Sequence, residues 1–201
     1  MNKQLLCPVI TIGREYCAYG RTIAAALSER LGIPYYDKDF VDKTVIESGF
    51  SAEDVLAESE TMSGLSKFLD AMLNPTASYT SSFDRIFEAQ KDVVLDLAKN
   101  PCILVGRCAN DILIKENIKC YNIFLYADLD FRMKRGQELH PDMDDEHLEK
   151  YIKKLDHLRA TYYKKYTGKD IRYFENYDIC LDVGAIGVDK SIDVLESIIC
   201  I

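Results

Sequence analysis

The sequence predicts an α/β fold with a doubly wound parallel sheet, and three observations favour it. Apolar segments of strand length alternate with segments of helical periodicity along the chain. Two apolar segments, residues 101–106 and 121–127, are long enough to be strands buried on both faces of a parallel sheet. The chain also opens with a strand, a loop and a helix, and sheets of this class bind ligands beyond the carboxyl ends of their strands.

The opening loop, residues 14–19, follows a strand predicted at 8–13 and leads into a helix over 20–31. That helix begins with Gly20-Arg21-Thr22, which matches the last three places of the phosphate-loop pattern G-x-x-x-x-G-K-[ST]. Glu15 stands where the pattern opens with glycine, so the match is partial. Because a helix N-terminus offers free backbone N–H groups to an anion, the stretch indicates nucleotide binding. An ordinary strand-to-helix turn stays open as the alternative.

The next elements are a second strand and helices around an irregular connection. Ser51 and Asp54 form a near capping box at the start of one helix. Residues 62–82 are rich in Ser, Thr, Asn and Pro, which indicates either an insertion over a site or a loose connection. The predicted elements are a strand at 34–37 and helices at 39–48, 51–60 and 83–99, the last of them amphipathic.

The C-terminal half continues the alternation of strands and helices. The acidic residues 142–146 precede a long helix and complement its dipole, so that run needs no metal to explain it. The predicted elements are strands at 101–106, 121–127 and 178–182, and helices at 128–139, 143–166 and 188–200.

Composition limits the class of protein. The 201 residues are 48% hydrophobic, enough for one sizeable α/β domain with a small insertion. No apolar run reaches the roughly 20 residues of a membrane span, and residues 1–12 do not resemble a secretory signal. We therefore expect a cytoplasmic protein with no membrane partner.

The seven cysteines include no C-x-x-C pair, which favours reduced, mostly buried thiols over a disulfide framework or a zinc site. His140, His147 and His157 lack metal-ligand spacing, and we expect all three on the surface.

The net charge of −8 argues against binding a nucleic-acid polymer through a basic face. Residues 132–172 nevertheless hold eleven Lys or Arg and eight Asp or Glu, a balance of +3, which leaves −11 for the rest. A local cationic segment on an acidic protein suits a small anionic ligand. A solvated helix face with i,i+4 ion pairs stays open as the alternative.

Several short segments recur in an order and spacing that resemble one family. The segments are 10–16 with Gly20-Arg21, 31–37, 105–109, 126–128 with Arg132 and Arg135, 156–159 with Tyr162-Tyr163, and 175–181. Together they resemble the cytidylate kinase-like family of P-loop nucleoside monophosphate kinases over nearly the whole chain.

The resemblance implies a P-loop kinase fold, a five-stranded parallel sheet flanked by helices on both faces with a small helical lid or insertion. A single domain would span residues 1–201, with an acceptor-binding helical insertion at 38–82 and a lid at 132–172. The implied reaction transfers the γ-phosphoryl group of ATP to a nucleoside monophosphate and uses Mg²⁺. CMP and dCMP are the first candidates for the acceptor. The implied partners are small-molecule nucleotides.

The resemblance also implies roles for particular residues. The residues that would bind ATP are Tyr19, Gly20, Arg21 and Thr22. The Thr22 hydroxyl would bind the magnesium ion. Tyr19 would either crowd the phosphates or stack on a base. Arg21, Arg132 and Arg135 would act on the transferring group. The acceptor would be held by Asp37, Lys43, Arg107, Asp156 and Arg159. A solvated face around Arg132 and Arg135, a buried structural ion pair of Arg107, and an intrahelical pair of Asp156 with Arg159 stay open.

Departures from the family pattern keep two other functions open. Glu15, Cys17 and Tyr19 replace glycines of the loop, and Cys108 replaces an aspartate at an acceptor position. A catalytically weak or inactive nucleotide-binding module, or a kinase for another small acceptor, is the alternative. We expect Glu15 to be neutralised by Arg14 or Arg21. The apolar residues within 62–82 either pack on a partner subunit, as in a homo-oligomer, or line the acceptor pocket.

Overall fold

Five parallel strands form the centre of the fold, which a computed structural model describes for residues 5–58 and 79–200. Their order across the sheet is β2-β3-β1-β4-β5, with β1 in the middle, so the predicted five-stranded parallel sheet is confirmed. The strands are β1 Val9–Arg14, β2 Tyr35–Tyr36, β3 Cys102–Val105, β4 Cys120–Tyr126 and β5 Ile179–Asp182.

Helices connect consecutive strands. They are α1 Gly20–Leu31, α2 Lys38–Glu47, α3 Ala52–Glu58, α4 Tyr79–Leu97, α5 Ala109–Lys115, α6 Leu129–Leu139, α7 Asp145–Thr167, α8 Val183–Ile186 and α9 Val188–Ile199, with a 3₁₀ turn at Phe174–Asn176. The short helices α5 and α8 were not predicted, because two turns or fewer are too short to show a 3.6-residue period. Within the described part of the chain, each helix is too short or too polar to cross a membrane.

Side chains alternate between the two faces of the sheet and meet a helix layer on each. Ile10 and Ile12 point to the face that α1 and α9 cover with Leu27 and Leu195. Val9 belongs to the opposite cluster, with side chains of α4, α5 and α7. Each such side chain contributes about 1.5–3 kcal/mol when fully buried. Both faces are therefore occupied, and the ligand-binding edge is left at the ends of the strands.

The register brings the loops after β1 and β3 to one edge of the sheet. Ile12 is opposite Val105 of β3 and Ile123 of β4. The amide of Gly106 donates to the carbonyl of Ile12 at 3.1 Å, which ties the start of the second loop to the end of β1. Residues 14–19 and 106–108 therefore leave the sheet side by side.

Helices α6 and α7 pack closely on each other and under the first loop. A Cβ at Gly136 of α6 would lie 3.0–3.2 Å from side-chain carbons of Leu148 and Ile152, so a larger residue would require these side chains to shift by a few tenths of an ångström. Leu148 and Ile152 are fully buried and form one cluster with Cys17 of the loop. The end of the helix predicted at 51–60 and most of the irregular connection at 62–82, with its apolar residues, lie outside the described part of the chain.

We expect Ile152→Ala to lower the free energy of unfolding by about 3 kcal/mol, because it leaves a cavity beneath the loop. The matched control is Ile114→Ala on α5, whose side chain is 46% exposed and whose loss should cost less than about 1 kcal/mol. Urea unfolding of both variants measures the difference, and equal losses would contradict the packing described for α7.

Candidate functional site

A cleft of about 730 Å³ opens at the carboxyl edge of the sheet. Its walls come from the first loop, the starts of α1 and α2, the end of α6 and the middle of α7. Its basic lining residues are Arg14, Arg21, Lys38, Arg135 and Arg159, against the acidic Glu15 and Asp39 among the described residues. On a chain of net charge −8, this excess of cations indicates an anionic ligand.

The loop takes a path that usually needs glycine, although other residues stand there. Cys17 and Tyr19 both have left-handed backbone angles, with φ of 63° and 57°. Each such residue costs of the order of 1–3 kcal/mol and persists only where its surroundings fix it. At Gly20 glycine itself is required, since a Cβ would lie 2.9 Å from Arg14 Cγ. The N-terminus of α1 is thereby brought to the floor of the cleft.

An ion pair beneath the loop holds the peptide groups of Tyr16 from both sides. The Tyr16 amide donates to Asp156 Oδ1 at 2.7 Å, and Arg132 Nη1 donates to the Tyr16 carbonyl at 3.3 Å. Arg132 and Asp156 join each other at 2.5 Å, with side chains about one-tenth exposed. We call this group, Arg132, Asp156 and the backbone of Tyr16, the loop clamp. It connects the first loop to α6 and α7.

Two cations that we did not predict compensate the charge of Glu15. Its carboxylate lies 2.9 Å from Arg172 Nη2 and 3.4 Å from Arg132 Nε. The reason is that the Glu15 amide donates to the carbonyl of Leu125, which extends the pairing of β1 with β4 and places the side chain beside Ala127. The negative charge of Glu15 is therefore compensated at the edge of the cleft.

Arg21, the cation of the phosphate-loop pattern, reaches across the cleft to the start of α2. Its Nε lies 2.8 Å from Asp37 Oδ2, and its Nη2 pairs with Asp39. Partial burial lowers the pKa of Arg21, but the two carboxylates outweigh it and the net shift is upward. Asp37 also caps α2 by accepting from the amides of Asp39 and Phe40, at 3.0 and 3.2 Å. Arg21 thus links the first loop to the helix predicted to bind the acceptor.

The donor set near the start of α1 fits magnesium. The Thr22 hydroxyl lines the cleft together with Asp39, and oxygen atoms of this kind are the ligands that Mg²⁺ prefers. Within residues 5–58 and 79–200, three or more His, Cys, Asp or Glu side chains do not cluster to hold a metal. Mg²⁺ commonly binds through one or two protein carboxylates together with the phosphates of a substrate.

Arg135 and Tyr19 form one wall of the cleft. The Arg135 guanidinium lies 4.7 Å over the Tyr19 ring, and that ring lies 5.7 Å from the ring of Phe131. Arg135 also pairs with Glu138 at 2.6 Å. The tyrosine that replaces a loop glycine is therefore packed against α6, where it holds a cation beside the cleft.

A second aromatic group contradicts the expectation that His140 is a surface residue. His140 is half-buried in the cleft wall, with Nε2 2.8 Å from the Tyr16 hydroxyl and its ring against Tyr151. Burial raises the pKa of Tyr16 to about 12, and Cys17 and Tyr151 add to the effect. The Tyr16 hydroxyl consequently stays protonated at neutral pH. His147 and His157 are exposed, as expected.

Arg107 belongs to a buried polar network behind the cleft. Its Nη2 donates to both oxygens of Asp42 at 2.6 Å, and its guanidinium lies 5.1 Å from the centre of the Tyr162 ring. Gln90 joins the network by donating to Asp42 at 3.2 Å and accepting from the Tyr162 hydroxyl at 2.8 Å. With the Arg107 side chain 1% exposed, the ion pair that we left open as an alternative is present.

A small pocket of about 30 Å³ lies beside this network. It is lined by the ends of β1 and β3, by Arg107 and Asn110, and by tyrosines that include Tyr162 and Tyr163. Arg14 and Arg159 line both this pocket and the large cleft. These two arginines therefore stand at the boundary between the two spaces.

The predicted site residues occupy five places. Tyr19, Gly20, Arg21, Thr22, Arg135 and Arg159 line the cleft. Asp37 adjoins it through Arg21, Arg132 and Asp156 lie beneath the loop in the clamp, and Arg107 lines the small pocket. Lys43 is 75% exposed on the outer side of α2, 3.8 Å from Glu47, away from both spaces. The roles assigned to all these residues stay predictions.

Sequence reasoning assigned no role in the site to several lining residues, among them Arg14, Lys38, His140 and Tyr151. Arg14 had one signal, its place as the last residue of the central strand. Lys38 begins α2 and pairs with its neighbours Asp39 and Asp42, whereas His140 and Tyr151 meet Tyr16, which is remote in sequence. Position along the chain does not reveal such contacts.

Comparison with known proteins agrees with this geometry. The profile of the Cytidylate kinase-like family matches residues 9–185. An uncharacterized protein from Eubacterium ventriosum has a crystal structure that is similar at 25% identity and a TM-score of 0.72, covering 95% of this chain and 97% of that one. A search of curated proteins found no match.

Two shikimate kinases share the fold at lower identity. The enzyme from Bacteroides thetaiotaomicron is 14% identical with a TM-score of 0.55, covering 94% of this chain and 97% of that one. The enzyme from Acinetobacter baumannii, solved with shikimate, is 15% identical with a TM-score of 0.53, covering 96% and 93%. These likenesses confirm the α/β architecture predicted from the sequence.

We expect Asp42→Asn to cost about 3 kcal/mol of unfolding free energy, because it leaves the buried Arg107 without its counter-charge. Arg107→Met should cost less, since Lys38 Nζ lies 3.4 Å from Asp42 and still compensates part of its charge. The double variant should cost less than the sum of the two. Urea unfolding of the four proteins in the cycle measures this coupling.

A surface pair supplies the control for that cycle. Arg30 and Asp193 lie 2.6 Å apart and are solvent-exposed, so their coupling should stay below about 1 kcal/mol. Additive costs at Arg107 and Asp42 would contradict the buried network.

Proposed function

We propose that this chain, which belongs to the cytidylate kinase-like family, transfers the γ-phosphoryl group of ATP to a nucleoside monophosphate, with CMP and dCMP as first candidates. Family membership supports a nucleotide-dependent kinase. The observation that carries the proposal is the cationic cleft, in which the N-terminus of α1 meets basic side chains from four other elements. Helix N-termini and guanidinium groups both favour phosphate.

The chemistry asks for positioning and charge rather than for a nucleophile of the protein. The bond between the γ-phosphorus and the bridging oxygen of ATP breaks, its electron pair stays with ADP, and an acceptor oxygen forms the new bond. A phosphate monoester with a second pKa near 6 is mostly ionised at neutral pH, so a monophosphate acceptor needs no general base. The arginines that line the cleft suit a reaction of this kind.

Each part of the cleft then has a task. Gly20 and the first turn of α1 would bind the donor phosphates through backbone N–H groups. Arg21 would leave the carboxylates of α2 for those phosphates, and Thr22 would ligate Mg²⁺, which supplies charge neutralisation when bound. Arg135 would follow the transferring group from α6. The acceptor anion would lie towards Arg159 and the small pocket.

Two observations favour other functions enough to test them. Arg21 is held by two carboxylates, which favours a nucleotide-binding module with weak catalysis. Asp156, expected to recognise the base of the acceptor, is engaged by both oxygens in the loop clamp, which favours a different small acceptor. Because the fold does not fix the substrate, both alternatives enter the same experiment.

The experiment is an ADP-release assay with ATP, Mg²⁺ and one acceptor at a time. The acceptors are the nucleoside monophosphates, with CMP and dCMP, and two hydroxy acids, shikimate and gluconate, which correspond to kinases of this fold. We expect release that depends on a monophosphate. Release with a hydroxy acid alone would select the other-acceptor alternative, and stabilisation by ATP without release would select the binding module.

Arg21→Ala should reduce turnover in that assay by about 100-fold or more, because a cation is lost from the donor phosphates. Its stability should change by less than about 1 kcal/mol, since Arg21 is 56% exposed and exposed ion pairs contribute little. Lys43→Ala is the control, because Lys43 lies outside the cleft although the family resemblance assigns it to the acceptor. Normal turnover of Arg21→Ala would contradict the phosphate-loop assignment.

A further inference from the structure

We infer that Arg14 is a catalytic residue, one that contacts the phosphoryl group during transfer at the boundary between the cleft and the small pocket. This inference rests on the proposed kinase function and deepens it. The family resemblance did not assign a role to Arg14.

The position of Arg14 supports this role first. It is the last residue of β1, the central strand, and its side chain extends from the carboxyl edge of the sheet. Among the described residues, Arg14 and Arg159 alone line both spaces. A group that passes from a donor in the cleft to an acceptor at the small pocket must pass beside them.

The two glycines that flank Arg14 provide a second argument. A Cβ at Gly20 would lie 2.9 Å from Arg14 Cγ, and a Cβ at Gly106 would collide with Arg14 Nη1. The stem of Arg14 therefore crosses the floor of the phosphate loop, and its guanidinium lies over the first residue after β3. A side chain at either position would displace Arg14, and Gly106 also has a φ of 86° that by itself favours glycine.

The arrangement of the other cations provides a third argument. Arg21 extends to Asp37 and Asp39 at the start of α2, Arg132 is buried beneath the loop, and Arg107 is engaged by Asp42. Each of these guanidinium groups lies to one side of the boundary between the spaces. The guanidinium of Arg14 lies on that boundary, where charge develops during transfer.

Arg14 would stabilise the transfer step without taking part in covalent chemistry. The bond from the γ-phosphorus to the leaving ADP oxygen breaks, and the bond to the ionised acceptor oxygen forms, with no proton transferred to Arg14. Its N–H groups would donate to the non-bridging oxygens of the phosphoryl group. Guanidinium donors suit this geometry because their planar fork matches phosphate oxygens.

The test compares Arg14→Gln with Arg30→Gln, a surface arginine of α1 that pairs with Asp193 and Glu196. Two readouts are measured on each protein. The first is kcat and KM for the acceptor found in the panel. The second is the affinity for a non-hydrolysable ATP analogue and for ADP, by calorimetry, which needs no acceptor.

We expect Arg14→Gln to lower kcat by about 100-fold or more with a smaller change in KM, a loss of the size seen when one transition-state donor is removed. Its affinity for the ATP analogue should fall about tenfold more than its affinity for ADP, because only the terminal phosphate reaches Arg14. Arg14→Lys should recover part of kcat, and Arg30→Gln should match the wild type.

If Arg14→Gln retains kcat, or loses both nucleotide affinities equally, the inference on Arg14 is overturned while the kinase function stands. If the wild type binds neither nucleotide, the proposed function fails and the inference fails with it.

Discussion

The loop clamp is the interaction on which the rest of the site depends. Arg132 and Asp156 form a nearly buried ion pair, and between them they bind the carbonyl and the amide of Tyr16. Breaking a buried pair from one side commonly costs 3–5 kcal/mol, because the other charge is left without compensation. The clamp thereby fixes the first loop to α6 and α7. Because the loop leads into α1, the clamp also sets the positions of the lining residues of α6 and α7 relative to α1.

This connection explains how a phosphate loop persists with so little glycine. Cys17 has left-handed backbone angles but packs beneath the loop on Leu148 and Ile152, where burial raises the pKa of its thiol to about 11. Tyr19 also has left-handed backbone angles, and its ring packs against Phe131 and Arg135. In this loop glycine stands at Gly20, where a Cβ would lie 2.9 Å from Arg14 Cγ. Tertiary packing thus fixes the conformation that glycine makes accessible in other loops.

The sequence predicted the parallel sheet, the long helices and the loop between β1 and α1, because these depend on local periodicity. It missed the surroundings of Asp156 and His140, since their partner in both cases is Tyr16, 140 and 124 residues away. It missed Arg14 for a similar reason, because that residue is defined by Gly20 and Gly106 together. Contacts between remote segments carry no signature in a single sequence.

The central claim is that the phosphates of ATP bind where the first loop meets α1, and amide NMR spectra test it most directly. ATP with Mg²⁺ would be added to the ¹⁵N-labelled protein while the backbone signals are followed. The account predicts the largest shifts at Tyr16, Gly20, Arg21 and Thr22, with smaller ones at the start of α2 as Arg21 leaves Asp37. Shifts confined to the distant ends of the strands, or none at saturating ATP, would contradict it.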